Sequence, residues 1–84
     1  MDELRRTAKQ IVSYCHSDNI EKVYCCVTRL RLHFKNKDIV DYGALSALAC
    51  VKGIFWFGEE CQLVIGIEAL TLSQIINAMR LQDV

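Results

Sequence analysis

The chain has 84 residues, with ten lysines and arginines balanced by ten aspartates and glutamates. A length of this kind predicts one domain with a thin core, because so small a chain buries only roughly 60% of the surface it exposes when unfolded. That leaves no room for a large internal substrate cavity, and a module acting on another protein fits better than a small-molecule enzyme working alone. The zero net charge and the absence of a basic run argue against general nucleic-acid binding. No apolar run approaches the roughly 20 residues needed to span a bilayer, so no direct membrane insertion is expected.

Met1-Asp2-Glu3-Leu4-Arg5-Arg6 lacks the basic-then-apolar layout of a signal peptide. The cysteines at 15, 25, 26, 50 and 61 are therefore read as reduced thiols of a cytoplasm. Their odd number and irregular spacing predict neither a disulfide framework nor a zinc site, and no metal or cofactor is expected. Cys15, Cys50 and Cys61 fall at apolar positions, where a free cysteine behaves as a small hydrophobe.

Residues 3–16 predict a helix. Leu4, Ala8, Ile11, Val12 and Cys15 recur at helical spacing along one face, and Arg5, Arg6, Lys9, Gln10 and Ser13 fall largely on the other. Ser17-Asp18-Asn19 breaks it with turn-favouring residues. His16 sits at the helix end and reads as structural or solvated. Residues 20–25 predict a short strand centred on Val23 and Tyr24. After a turn at Cys26, residues 29–34 alternate: Leu30, Leu32 and Phe34 point one way, Arg29, Arg31 and His33 the other. Two strands so closely joined predict an antiparallel hairpin, and His33 reads as a solvated residue on its outer face.

Lys35-Asn36-Lys37-Asp38 is a polar turn, and Asp41 is the expected N-cap of a short helix from 42 to about 49, with Leu45 and Leu48 buried and Gly43 weakening it. Gly53-Ile54-Phe55-Trp56-Phe57-Gly58 and Cys61-Gln62-Leu63-Val64-Ile65-Gly66 predict a second hairpin, turned at Gly58-Glu59-Glu60. Its weak alternation predicts strands that are central or partly covered on both faces. Leu72, Ile75, Ile76 and Met79 predict a last helix to about residue 81, starting at a capping box over Thr71–Gln74 or a turn earlier at Glu68. The order α-β-β-α-β-β-α predicts an α+β two-layer sandwich with the helices on one face of an antiparallel sheet.

The chemistry concentrates in Cys25-Cys26-Val27-Thr28-Arg29-Leu30-Arg31. A thiolate is a nucleophile, and nearby cations favour it over the thiol. Arg29 and Arg31 share a face and carry forked donors suited to a phosphoryl group. The backbone N–H groups of Val27 and Thr28, with the Thr28 hydroxyl, are positioned to line an anion nest at the turn. Phosphoryl transfer asks mainly for position and charge stabilisation. Arginines alternating on a strand also describe an ordinary solvated face, and a cysteine at a strand end also describes ordinary packing. From the residues alone both readings stay open.

Cys26-Val27-Thr28-Arg29-Leu30-Arg31 resembles the phosphorylation-site motif of the IIB domain of bacterial sugar phosphotransferase systems, in the glucose/sucrose/N-acetylglucosamine/β-glucoside branch. Asn19-Ile20, Lys52-Gly53 and Gln62-Leu63-Val64-Ile65-Gly66 extend the likeness over nearly the whole chain. The resemblance implies a four-stranded antiparallel sheet with three helices on one face. It implies that Cys26 takes a phosphoryl group from a IIA phosphohistidine and passes it to a sugar bound by a membrane IIC domain during uptake, with phosphoenolpyruvate as ultimate donor. Arg29 and Arg31 match the motif arginines, and Thr28 matches the motif threonine near the phosphate. The whole of residues 1–84 would then be one phosphocarrier domain, cytoplasmic and held at the inner face of the membrane through IIC. The chain departs from the family pattern at Cys25, where Asn or His is common, at Cys15-His16-Ser17, where glycines often end the helix, and at the bulky Phe55-Trp56-Phe57.

Three other readings compete. A regulatory or degenerate IIB-like module would bind a partner without onward transfer. Cys25 and Arg31 have the Cys-x5-Arg spacing of a tyrosine phosphatase loop, but such a loop must lead into a helix N-terminus, whereas this one leads into an alternating strand. A redox or metal role for Cys25-Cys26 is disfavoured, because adjacent cysteines rarely close an unstrained disulfide and lack further ligands close by.

Overall fold

The computed structural model describes residues 2–82. Three helices, α1 (Asp2–Cys15), α2 (Tyr42–Ala47) and α3 (Ala69–Gln82), accompany four strands, β1 (Ile20–Cys26), β2 (Arg29–Phe34), β3 (Gly53–Phe57) and β4 (Glu60–Val64). The strands form one sheet in the order β1-β2-β4-β3, antiparallel throughout. The α+β architecture is the one the order of elements predicts.

Alternation decides which face is covered. Leu30 and Leu32 of β2, with Cys61 and Leu63 of β4, are fully buried. Ala8, Ile11 and Cys15 of α1, Leu45 of α2, and Ala69, Leu72 and Ile76 of α3 close over them. Fully burying a leucine or isoleucine stabilises by about 1.5–3 kcal/mol, so this layer carries the fold. The opposite face of the sheet is left open to solvent and holds the polar residues of β2 and β4 beside Phe55 and Phe57 of β3.

The ends of the elements follow from local chemistry. Asp41 caps α2, its Oδ1 accepting from the Ala44 N–H at 3.0 Å, as expected. The helix ends at Ala47, earlier than its predicted end, and Leu48 is only half-buried. α3 starts at Ala69, the earlier of the two predicted starts, its first turn tied by the Ala69 N–H to Gly66 O and the Leu72 N–H to Glu68 O. α1 stops at Cys15 because His16 turns to φ 69°. That left-handed position is commonly filled by glycine, and histidine tolerates it better than most residues.

One prediction about the strands needs correction. The second hairpin is not uniformly covered: β4 is central, but β3 is an edge strand with Phe55, Trp56 and Phe57 all exposed. Its bulk is accommodated by ring contacts rather than burial. Trp56 packs edge-on against Tyr42 and Phe34, with centroids 5.8 and 6.4 Å away, and Lys37 lies over its ring at 5.7 Å. The other edge, β1, is covered from α3. Arg80 Nη2 donates to Ile20 O and Glu21 O, both at 2.9 Å, and Asn77 Nδ2 donates to Val23 O at 2.9 Å. These bonds fill edge carbonyls that would otherwise invite another strand.

Asn19, buried at the entrance to β1, joins the first loop to the second. Its Nδ2 donates to Cys15 O and Asn36 O at 3.2 and 2.9 Å, and its Oδ1 accepts from the Asn36 N–H at 2.7 Å. Asn19→Ala strands these buried backbone groups and is expected to cost about 2–3 kcal/mol. Urea unfolding with an unchanged slope and a lower midpoint would show it; an unaltered midpoint would contradict the assignment.

Candidate functional site

The β1–β2 hairpin turns at Val27-Thr28. Val27 has φ 58° and is 84% exposed. Positive φ at the first central residue alone is the pattern of a II′ hairpin turn, which glycine normally fills. A β-branched residue held there stores backbone strain of order 1–3 kcal/mol. Thr28 anchors the far side of the turn, its carbonyl accepting from the N–H groups of Ile65 and Gly66 at 3.0 and 2.9 Å. The end of β4 is thus locked beside the Cys26 corner.

Residues directly opposite in an antiparallel sheet share a face, so the register arranges the open face in rungs. Cys26, Arg29, Val64 and Gly53 form the rung at the hairpin end. Tyr24, Arg31, Gln62 and Phe55 form the next, and Lys22, His33, Glu60 and Phe57 the third. Successive rungs lie about 7 Å apart along the strands. Cys26 is exposed on this face, directly across from Arg29 and one rung from Arg31.

The five thiols separate clearly. Cys15 and Cys61 are fully buried, and burial pushes both up to about 12. Burial also raises Cys50. Cys25 falls on the helix-covered face, packed beside the core, with its Sγ 3.5 Å from Val27 O. Cys25, where the chain departs from the family pattern, therefore points away from both arginines. Cys25 and Arg31 lie on opposite faces, and the chain after the turn is strand, so the phosphatase-like arrangement is absent. Cys26 alone of the five is exposed.

Arg29 and Arg31 share the open face as predicted, but neither guanidinium is free. Arg31 Nη1 pairs with Glu60 Oε1 at 3.3 Å. Arg29 Nη1 donates to Gln62 Oε1 at 3.0 Å and its guanidinium lies over the Phe55 ring at 5.3 Å. Gln62 Nε2 in turn donates to Glu60 Oε1 at 2.6 Å. His33, expected to be solvated, has its Nε2 3.1 Å from Glu60 Oε2, and the Tyr24 hydroxyl donates to the same oxygen. Sequence reasoning placed Glu60 in a turn and missed this hub. The available signal was the alternation of Glu60, Gln62 and Val64 against apolar Cys61, Leu63 and Ile65.

The electrostatics follow from these partners. Burial acts to raise Glu60, but hydrogen bonds from Tyr24, Gln62 and His33, with the charge of Arg31, hold it down at about 2. The bond to Glu60, then burial, raises the Tyr24 phenol. Burial works to lower Arg31 but is outweighed by its bond with Tyr24 and by negative charge at Cys26, Glu60 and Tyr24, so its pKa rises. The first two rungs thus place one exposed thiol on the same face as two guanidiniums.

A model of the family described as "phosphotransferase system, EIIB" matches residues 10–41, a span that contains the hairpin and its motif. The sucrose-specific EIIBC component of Staphylococcus xylosus is 45% identical over 49 residues, 58% of this chain and 10% of that protein. The trehalose-specific EIIBC component of Bacillus subtilis is 39% identical over 67 residues, 79% of this chain and 14% of that protein. The N-acetylmuramic acid-specific EIIBC component of Vibrio cholerae is 33% identical over 64 residues, 75% of this chain and 13% of that protein. The fold matches the crystal structure of one domain of a phosphotransferase-system IIabc component from Clostridium difficile, with TM-score 0.76, 22% identity, and coverage of 98% of this chain and 82% of that one. The chain belongs to the EIIB family of the phosphotransferase system, in its glucose-type branch. It spans 10–14% of the length of these curated relatives, and no helix among its described residues is long and apolar enough to cross a membrane.

The sign of the Glu60 shift makes a prediction. Its folded pKa, about 2, lies below the ordinary value of 4.5. The carboxylate therefore contributes stability that is present above about pH 4.5 and is lost as pH falls toward 2. Glu60→Gln removes this contribution, so its melting temperature should decline less than the wild type's between about pH 5 and pH 2.5. Parallel melting curves over that range would contradict it.

Proposed function

We propose that this chain is a phosphoryl carrier of a sugar phosphotransferase system, with Cys26 as the phosphorylated residue. The observation that carries the reading is that Cys26 is exposed on the open face opposite Arg29 and next to Arg31, while Cys25 packs on the other face. The Cys26 thiolate attacks phosphorus on a IIA phosphohistidine. The S–P bond forms as the N–P bond breaks, and the imidazole leaves with the electron pair and takes up a proton. A sugar hydroxyl held by a IIC domain then attacks phosphorus, losing its proton, and Cys26 departs as thiolate. Arg29 and Arg31 balance the charge on the phosphoryl oxygens in both steps, and the Val27–Thr28 turn holds the group in place.

The relatives are named EIIBC components, which supports a IIC domain as the acceptor-side partner. The reading makes residues 1–84 one IIB domain, a transferase component working through phosphocysteine at the cytoplasmic face of the membrane.

Incubation with phosphoenolpyruvate, the general carriers and a IIA protein should label Cys26, as read by mass spectrometry. The label is expected to vanish in Cys26→Ser and persist in Cys25→Ser. Label on Cys25, or none with several IIA proteins, would overturn the assignment. Arg29→Lys and Arg31→Lys should still accept phosphate but pass it to sugar at least about tenfold more slowly, because lysine lacks the forked geometry. Labelling with no onward transfer by the wild type to IIC-bound sugar would favour the regulatory module instead.

A further inference from the structure

We infer that Glu60 is a positioning residue that sets how much of the two arginines' charge reaches Cys26. It holds Arg31 directly and Arg29 through Gln62, so that a phosphoryl group arriving at Cys26 must compete with a resident carboxylate. The inference rests on the phosphocarrier reading for its biological meaning, but the coupling itself is a property of the unphosphorylated protein.

The geometry is a contest along one face. Arg31 occupies the middle rung, with Cys26 one rung to one side and Glu60 one rung to the other. Each lies about 7 Å along the strands from the Arg31 backbone, within reach of an extended arginine. The structure shows the guanidinium committed to Glu60, at 3.3 Å. The Arg31 Nε is buried without a hydrogen-bond partner, so the side chain retains donor capacity that its present position does not use.

Gln62 extends this control to the first rung. Its Nε2 donates to Glu60 and its Oε1 accepts from Arg29. The carboxylate therefore fixes which end of the amide faces Arg29, since only an amide turned this way satisfies both neighbours. Tyr24 from β1 and His33 from β2 also converge on Glu60. Elements on both sides thus hold its carboxylate in place, and it is ionised throughout the physiological range. A dianionic phosphoryl group on Cys26 is a stronger competitor than a thiolate, and it would draw Arg31 across the rung. Glu60 then acts as counter-ion before phosphorylation and as a brake on how tightly the arginines grip the phosphate after it.

The test reads Cys26 without any phosphoryl transfer. The rate of Cys26 alkylation by iodoacetamide, near neutral pH and in low salt, is followed by mass spectrometry in several folded variants. Glu60→Gln should raise the rate about threefold or more, because a guanidinium released toward the thiol favours thiolate. Glu60→Asp keeps the charge but shortens the reach to Arg31, and should raise the rate in the same direction. Glu59→Gln, the same charge change at the exposed turn, should leave it within about 1.5-fold. In an Arg31→Gln background, the effect of Glu60→Gln should shrink to the part carried through Gln62 and Arg29, since coupling through Arg31 is what the double-mutant cycle isolates. An unchanged rate in Glu60→Gln, or the same increase without Arg31, overturns the inference.

Labelling of the same variants from phosphoenolpyruvate separates the two readings. If the alkylation pattern appears but no variant takes up phosphate, Glu60 positioning stands and the phosphocarrier reading falls. If phosphate is taken up with a flat alkylation pattern, the carrier reading stands and the inference falls. With both intact, Glu60→Gln should accumulate the phosphorylated form about threefold more at equilibrium with its donor.

Discussion

The geometry of the open face depends on one carboxylate meeting four partners from three strands. Isolated ion pairs at a protein surface contribute about 0–1 kcal/mol, so the Glu60–Arg31 contact is not what keeps this chain folded. Its importance is geometric. Tyr24, Arg31, His33 and Gln62 each have other rotamers open to them on an uncovered sheet, and Glu60 is the common partner that selects one arrangement. Networks of this kind are coupled, so that changing one member alters the orientation of the rest. The position of both motif arginines is in this sense a property of β4, a strand that contains none of the motif.

Stability comes from the other face, and that face also decides the chemistry. In a strand, a one-residue slip exchanges the two faces. For β1 such a slip would turn Cys25 toward the arginines and bury Cys26. The slip is opposed by Val23 of β1, buried under the helices, and by Arg80 and Asn77 of α3, which grip the β1 carbonyls. The apolar layer, though remote from any phosphate, selects which of two adjacent thiols is presented.

Much of this was legible in the chain because its signals were local. Period-two alternation in residues 29–34 separated Leu30 and Leu32 from Arg29 and Arg31 without reference to anything else. Asp41 carried the cap of α2 in its own side chain, and Cys26-Val27-Thr28-Arg29-Leu30-Arg31 marked the family. The strand order was not local. Placing β4 between β2 and β3 pairs His33 with Glu60 across 27 positions of chain, and nothing near either residue specifies that register. Glu59-Glu60 therefore looked like a turn, His33 looked solvated, and the arginines looked unoccupied. The aromatic run of β3 was misjudged for a related reason. An edge strand can carry apolar bulk on both faces when neighbouring rings and cations cover it, and Trp56 depends on Tyr42, Phe34 and Lys37 from elsewhere in the chain.

The phosphoryl relay proposed for Cys26 needs a group bound well enough to form and loosely enough to leave. Two arginines turned fully onto phosphocysteine would favour the intermediate over both the histidine that donates and the sugar that accepts. Equal stabilisation of a bound state and the transition state that follows it does nothing for the forward rate. A carboxylate one rung beyond Arg31 changes this balance, because it offers the guanidinium an alternative partner at every stage. In the proposed relay, Arg31 would have an anion to return to as phosphate leaves, and the cost of losing the phosphoryl contacts would be partly offset within the sheet. The strained Val27 turn supports the same logic from the opposite side, since a backbone held at φ 58° keeps the Cys26 corner prominent and exposed to partners. The corner that the motif marks is thus one end of a longer device, whose other end lies at Glu60.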